Sequence, residues 1–222
     1  MDLLLVRHGE SAGNQEGRLQ GNIDSPLTPL GRSQAARAGA WLKARGLRWS
    51  AAYASPLQRA RDTAEIIAQT TGFPSPELDE DLREVGAGGL ESLTRDEIVQ
   101  KYPSFMNRTI SDLGDFEEFG GEGYAALQAR VDRVLRRLVA RHRETADVVL
   151  VVAHGGINFQ LVKAAVCVPV PRVCILHWGN CTISQLRFRD RRGTYMADVN
   201  FHVPIELMGG DPSDGGSSGA FR

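Results

Sequence analysis

Two short apolar runs, each followed directly by a histidine and a glycine, constrain the fold of this chain more than any other feature. The first run, residues 3–6, leads into Arg7 and His8, and the second, residues 147–153, leads into His154. Apolar runs of this length are typical of parallel strands that are buried on both faces of a sheet. Because ligands bind beyond the carboxyl ends of such strands, we expect the two histidines to belong to one site.

Helical and strand-like patterns alternate along the rest of the chain. Capping residues followed by proline, at Thr28 and Ser55, predict helices over 29–45 and from Ser55 to near Gly72. Apolar spacing and turn residues predict further helices over 94–101, 122–143 and 157–166, and strands over 51–54, 182–188 and 195–199. This alternation predicts an α/β fold, a three-layer α/β/α sandwich with a mostly parallel central sheet.

Composition excludes several classes of protein. With 222 residues, 42% of them hydrophobic, the chain is long enough for one sizeable core. A net charge of -1 gives no field that would attract nucleic acid or an anionic membrane, and no apolar run approaches the length of a membrane span. Cys167, Cys174 and Cys181 are an odd number without CxxC spacing, so neither a disulfide framework nor a zinc site is indicated. Since no signal peptide is evident either, we expect a cytoplasmic protein.

The predicted organisation is a single catalytic domain over 1–208, followed by a Gly- and Ser-rich tail over 209–222. Within it, residues 85–125 are interpreted as a lid that sets substrate specificity, since long irregular segments in compact domains are often functional. Four acids of this segment either face the pocket and repel polyanions or face solvent: Asp112, Asp115, Glu117 and Glu118. The arginines of the following helix are interpreted as a solvated face: Arg130, Arg133, Arg136, Arg137 and Arg141.

The residues at the strand ends suit a phosphoryl group. Arg7 and Arg59 can each donate two hydrogen bonds to phosphate oxygens. His154 and Gly155 lie where a strand meets a helix, and free backbone N–H groups at that point favour an anion. No acidic cluster that would hold Mg²⁺ accompanies them. We therefore expect a small phosphorylated metabolite as the partner, with no metal and no cofactor.

Four segments resemble the histidine phosphatase superfamily, which has the phosphoglycerate-mutase-like fold. They are VRHGES, SPLQRARDTA, LREVGAG and VVAHGG, and they follow the order of that family across residues 3 to about 200. The resemblance implies that His8 is the nucleophile that becomes phosphorylated and that Glu84 donates a proton to the leaving oxygen. It also implies phosphoryl-binding roles for Arg7, Arg59 and His154, and further phosphate contacts at Asn14, Gln20 and Gly21.

Some choices stay open at this point. Glu80, Asp81 and Glu91 are rival acids, and the family's aromatic residue after LRE is absent, since Ala87 follows Gly86 here. Glu84 and His154 are only 70 positions apart, which resembles the phosphatase branch. The expected function is thus a metal-independent phosphomonoesterase. The alternatives are a 2,3-bisphosphoglycerate-dependent phosphoglycerate mutase and a catalytically silent phosphate-binding or regulatory protein. The sequence does not indicate an oligomeric state.

Overall fold

The computed structural model describes residues 1–108, 115–142, 148–166, 178–191 and 194–208. Its strands are β1 (Asp2–Arg7), β2 (Ala51–Ala54), β3 (Glu77–Leu78), β4 (Val148–Ala153), β5 (Ile183–Arg191) and β6 (Thr194–Val203). Its α-helices are α1 (Ala12–Gln15), α2 (Pro29–Ala44), α3 (Gln58–Thr71), α4 (Arg95–Lys101), α5 (Tyr124–His142) and α6 (Gly155–Ala165). The predicted tail over 209–222 lies outside the described residues, as do Asp112, Cys167 and Cys174.

The six strands form one sheet in the order β3-β2-β4-β1-β5-β6. β1, β2, β3 and β4 run parallel, whereas β5 is antiparallel to both β1 and β6, so the predicted mostly parallel sheet is confirmed. Arg7 on β1 pairs with Ala153 on β4. The chain therefore leaves these two neighbouring strands at the same edge, where His8 and His154 follow.

Helices cover both faces of the sheet, which confirms the three-layer architecture. Alternate residues of β1 divide between two cores: Leu3 and Leu5 pack in the cluster that contains α5 and α6, and Leu4 and Val6 pack in the cluster that contains α2 and α3. All four side chains are fully buried. Burial on both faces explains why the strand is an unbroken apolar run rather than an alternating one.

The structure departs from the sequence-based predictions at two places. α3 begins at Gln58 with Leu57 as N-cap and not at Ser55, whose oxygen accepts the Leu57 N–H and also lies against His154. β3 is a strand that is absent from the sequence-based predictions; its two residues pair with β2 at the sheet edge.

The solvated face predicted for α5 is wrong at one position. Arg130 is buried, with 9% of its surface exposed, and forms a bidentate ion pair with Glu122. The other four arginines of the helix keep more exposed side chains and pair with acids: Arg133, Arg136, Arg137 and Arg141. The arginines of α5 are therefore mostly exposed, as predicted, but Arg130 lies in the interior.

Residues 85–125 build a small apolar core of their own. Ala87, Leu90, Ile98 and Phe119 are buried together, and Leu19 packs against them from the loop after α1. Short 3-10 turns at Gly88–Leu90, Pro103–Asn107 and Glu117–Phe119 make up much of the segment. Its assignment as a lid stays a prediction. Among the described helices, none combines the length and apolar character that a bilayer crossing requires.

Candidate active site

The nucleophile loop, residues 8–11, passes between β1 and the first turn of α2. Close backbone contact requires glycine on both sides, because a Cβ on Gly9 would lie 2.3 Å from the Gly31 carbonyl oxygen. A Cβ on Gly31 would lie 1.9 Å from the carbonyl oxygen of Glu10. The Gly9 N–H donates to Thr63 of α3 at 3.0 Å. Two helices therefore fix the loop, and His8 with it, on the strand end.

Hydrogen bonding determines which nitrogen of His8 is free to react. Nδ1 lies 2.7 Å from the Gly9 carbonyl oxygen, and a carbonyl only accepts, so Nδ1 carries the proton. Nε2 is left with its lone pair. Burial lowers the pKa of His8 well below 6.5, and the cations of Arg59 and Arg7 lower it further. The imidazole is therefore neutral at physiological pH, which a nucleophile requires.

His154 lies against His8, with 5.1 Å between the ring centroids. Its Nε2 is 2.8 Å from Ser55 Oγ, and that oxygen also accepts the Leu57 N–H at 3.3 Å. In the tautomer that accepts the Ser55 proton at Nε2, the N–H of His154 is at Nδ1. Nδ1 is buried and has no partner among the described residues. Burial, and then the charge of Arg59, lower the pKa of His154 well below 6.5, so this ring is also neutral.

The two arginines are held by backbone carbonyls. Arg59 donates to the carbonyl oxygens of Ile23 at 2.7 Å and Gly21 at 2.8 Å, and Arg7 donates to that of Trp178. Burial lowers the pKa of Arg59 to about 10, although Glu84 and other acids oppose the shift. Nε of each guanidinium is buried without a partner in the described part of the chain. Each arginine is thus oriented by protein and still has N–H groups to donate.

Carboxylates occupy the N-terminus of α6, which we expected to bind an anion, and that of α3. Glu84 accepts the backbone N–H groups of Gly156 and Ile157 at the start of α6, each at 3.0 Å. Asp24 accepts the Gln58 N–H at the start of α3, at 2.7 Å. An anionic side chain satisfies the free N–H groups and the helix dipole as well as a ligand would. The phosphoryl pocket is therefore left to the arginine and histidine side chains.

Glu84 has one position left for a proton. Its Oε1 accepts from Ile157 and from its neighbour Val85 at 2.9 Å, and Oε2 accepts from Gly156 alone. A carboxylate offers about four acceptor positions, two on each oxygen, so the remaining one is on Oε2. The carboxylate also acts electrostatically on both Arg7 and Arg59, which places it beside the cationic pocket.

The rival acids are engaged elsewhere. Glu80 is largely exposed and pairs with Arg83, and Asp81 pairs with arginines of α5. Glu91 accepts the N–H groups of Asn22 and Ala87 and so connects two loops. Among the four acids, Glu84 is the one bound to the helix that follows His154.

A polar network beside His8 holds two of the expected phosphate contacts. Ser11 Oγ lies 3.0 Å from Asn14 Oδ1 and 2.9 Å from Gln20 Oε1. Asn180 donates to Asn14 Oδ1 and to the His8 carbonyl oxygen, both at 3.1 Å. The sequence analysis does not single out Asn180, and no motif surrounds it that would have done so. The carbonyl oxygen of Gly21 accepts a hydrogen bond from Arg59.

A cavity of about 460 Å³ opens on the Glu84 side of the site. Glycines 86, 88, 120 and 121 line it together with Asn22, Glu80, Arg83, Glu84, Glu91, Glu122 and Arg130. Glu117 and Glu118 are exposed and do not line it, so the solvent-facing alternative holds for these two acids. Its volume suits a small ligand.

Comparisons with known proteins identify the family of this chain. The family model of the histidine phosphatase superfamily (branch 1) matches residues 3–200. A metal-independent phosphoserine phosphatase from Arabidopsis thaliana is 36% identical over 157 residues, which cover 70% of this chain and 65% of that protein, just under two thirds of its length. A probable phosphoglycerate mutase from Salmonella paratyphi A is 33% identical over 190 residues, 86% of each chain.

Solved structures show the same fold. A mycobacterial glucosyl-3-phosphoglycerate phosphatase in complex with VO3 superposes with a TM-score of 0.76 at 29% identity, covering 90% of this chain and 97% of that one. The family match contains both histidines, both arginines and Glu84. This chain therefore belongs to the histidine phosphatase superfamily and is an enzyme of the phosphatase type.

Proposed function

We propose that this enzyme is a metal-independent phosphomonoesterase that works through a phosphohistidine on His8. One observation carries the proposal: three buried polar atoms beside the neutral His8 lack partners within the described chain. They are Arg7 Nε, Arg59 Nε and His154 Nδ1. Buried polar groups are normally hydrogen-bonded, so such a cluster indicates a ligand, and its N–H donors suit a phosphoryl group.

In the first step, His8 Nε2 attacks phosphorus and forms the N–P bond while the P–O ester bond breaks. The electron pair of that bond stays on the leaving oxygen, which takes the proton that Glu84 carries on Oε2 in the enzyme–substrate complex. Arg7, Arg59 and His154 stabilise the charge on the three equatorial oxygens as it develops. Two guanidiniums and an imidazole N–H supply this stabilisation with protein groups alone.

In the second step, water attacks the phosphohistidine and the N–P bond breaks. The electron pair returns to His8 Nε2, and Glu84 takes the proton that the water loses, which restores its starting state. Inorganic phosphate then leaves the pocket. Glu84 acts as acid and then as base, as one carboxyl group does in other two-step hydrolyses.

The test is release of inorganic phosphate from a panel of phosphomonoesters in EDTA. The panel includes phosphoserine, 3-phosphoglycerate and glucosyl-3-phosphoglycerate, which the names of the related proteins suggest. We expect turnover by the wild type and a loss of at least about 10³-fold in His8→Ala. His202→Gln is the control, since His202 lies on β6 outside the pocket. Dependence of turnover on added metal would contradict the proposal.

The mutase alternative has one observation in its favour, the 33% identity to a probable phosphoglycerate mutase. A mutase transfers the phosphoryl group from histidine to a second phosphoglycerate rather than to water. Isomerisation of monophosphoglycerate with added 2,3-bisphosphoglycerate, faster than phosphate release, would establish that alternative. No observation favours a catalytically silent protein, because the nucleophile, the cations and an acid all lie together.

A further inference from the structure

The segment that carries Glu84, residues 81–86, is held by one mostly buried side chain that also lines the cavity beside Glu84. Arg130 of α5 donates from Nη1 to the carbonyl oxygens of Asp81 at 2.8 Å and Arg83 at 2.7 Å. The two carbonyls precede Glu84 in the chain, so the guanidinium holds the backbone immediately before the acid.

Glu122 completes this arrangement from the other side. Its carboxylate accepts Nε of Arg130 at 2.8 Å and also its Nη2, which is bidentate pairing. The Glu122 N–H donates to the Gly86 carbonyl oxygen at 2.7 Å, just beyond Glu84. We call Arg130 and Glu122 the clamp pair, because together they fix the backbone on both sides of the acid.

Backbone packing makes the contact tight. A Cβ on Gly121 would lie 2.4 Å from the Gly86 carbonyl oxygen, and one on Gly88 would lie 2.3 Å from that of Phe119. The segment 119–122 therefore lies directly against residues 86–88. Because these two segments are in close contact, a displacement of one would displace the other. The position of Glu84 therefore depends on the clamp pair, which is bonded to both.

The clamp pair differs from the ion pairs that surround it. The side chains of Arg130 and Glu122 are 11% and 16% exposed, whereas that of Arg133, which pairs with Asp81 from the same helix, is 56% exposed. Exposed pairs contribute little, but a buried pair that loses one partner leaves a desolvated charge. Such a pair on the interior side of a helix indicates a requirement for fixed geometry.

We propose that Arg130 and Glu122 are positioning residues for proton transfer by Glu84. Hydrogen bonds from α6 fix the carboxylate oxygens of Glu84, and the clamp pair fixes the backbone on both sides of this residue. The free acceptor position of Oε2 therefore has a defined direction. This proposal rests on the proposed function, in which Glu84 protonates the leaving oxygen. A small displacement of this segment would misalign Oε2 and would leave the residues of the phosphoryl pocket in place.

The choice of substrate separates positioning from a general structural role. An alkyl phosphate, such as glycerol phosphate, releases a strongly basic alkoxide that needs the proton. p-Nitrophenyl phosphate releases a weakly basic phenolate that leaves without one. Damage to proton transfer therefore slows the alkyl ester more than the aryl ester, whereas general loss of structure slows both equally.

The experiment compares kcat/KM for both esters in Arg130→Lys, Glu122→Gln and Glu84→Gln. In the two clamp variants we expect kcat/KM for glycerol phosphate to fall on the order of 10- to 100-fold more than that for p-nitrophenyl phosphate. Adding either clamp substitution to Glu84→Gln should lower kcat/KM for glycerol phosphate little further, because the acid is already absent. Arg133→Ala is the matched control and should leave the ratio of the two esters unchanged.

Three outcomes would overturn the proposal. Equal losses on both esters would show a structural role, and unchanged rates on both would show none. If Glu84→Gln itself gave no difference between the esters, the assignment of Glu84 would fall and the positioning role with it, although phosphohistidine chemistry on His8 would stand. Glu122→Gln keeps the shape of the side chain, so it supplies the test if Arg130→Lys does not fold.

Discussion

At the scale of single residues, the site depends on which atoms are left over after the protein has made its own hydrogen bonds. His8 uses Nδ1 in a hydrogen bond to a carbonyl oxygen, which leaves Nε2 free. His154 uses Nε2 in a hydrogen bond with Ser55, which leaves Nδ1 free. The two rings thus present different nitrogens to the same pocket, and in the proposed mechanism one acts as a nucleophile and the other as a donor. Their neutral state, which burial imposes, makes both roles possible.

That neutral state predicts how stability depends on pH. The folded pKa of both histidines lies well below 6.5, whereas an unfolded histidine titrates near 6.5. Below that pH the unfolded chain binds protons that the folded chain does not, so the free energy of unfolding falls as pH falls. The contribution is fully present above pH 7.5 or so, and its loss approaches about 1.4 kcal/mol per pH unit for each histidine.

Urea unfolding between pH 8 and pH 5 in phosphate-free buffer measures this dependence. We expect His8→Asn to have a smaller slope than the wild type across the acid half of that range, since one of the two groups is gone. Equal slopes in the two proteins would contradict the neutral state assigned to His8.

At the scale of elements, α2 supports the nucleophile loop through its first turn. Thr28 caps the helix, and its hydroxyl also donates to Glu10 Oε1 at 2.7 Å, so one residue connects the helix start to the loop. Gly31 then lets the backbone of the loop approach the helix. The helix therefore positions His8 even though it contributes no side chain to the phosphoryl pocket.

Gly31→Ala tests this support. The added methyl group would meet the Glu10 backbone at 1.9 Å, which must push the loop away from the helix. We expect a loss of stability of about 1–3 kcal/mol together with a clear fall in kcat. Gly39→Ala is the matched control in the same helix, since its methyl group would meet the Thr70 side chain at 2.9 Å, away from the loop. It should lower the midpoint of thermal unfolding and leave kcat unchanged; equal kcat in both variants would contradict the role of α2.

At the scale of the whole molecule, β1 is the centre of the structure, between β4 and β5. Separating β1 from β4 or from β5 would expose both cores at once. Leu3 and Leu5 lie in one core, and Leu4 and Val6 lie in the other. We expect amide protons of β1 to exchange only through global unfolding, and those of the two-residue edge strand β3 to exchange far faster. Native-state hydrogen exchange measures both, and similar rates in β1 and β3 would contradict this order.

Much of this architecture could be predicted because it follows from local patterns. The unbroken apolar runs before His8 and His154 predict buried parallel strands, and the motifs place Arg59 and Glu84 in one site. Contacts between distant segments leave no such pattern. Arg130 has the same spacing as its exposed neighbours on α5, and the carboxylates at the two helix starts come from remote loops. These contacts depend on the tertiary arrangement, and the pattern of apolar and polar residues along the sequence does not predict it.

The position of β1 also has a consequence for synthesis on the ribosome. This strand emerges before both of its neighbours, Val148–Ala153 and Ile183–Arg191, which lie far along the chain from it. Until they are translated, the growing polypeptide presents an apolar segment with two unsatisfied hydrogen-bonding edges, the kind of surface that chaperones bind. His154 emerges in the same interval, directly after the first of these neighbours. The nascent polypeptide therefore completes the sheet around β1 and gains His154 in the same interval, once β4 and β5 have been translated.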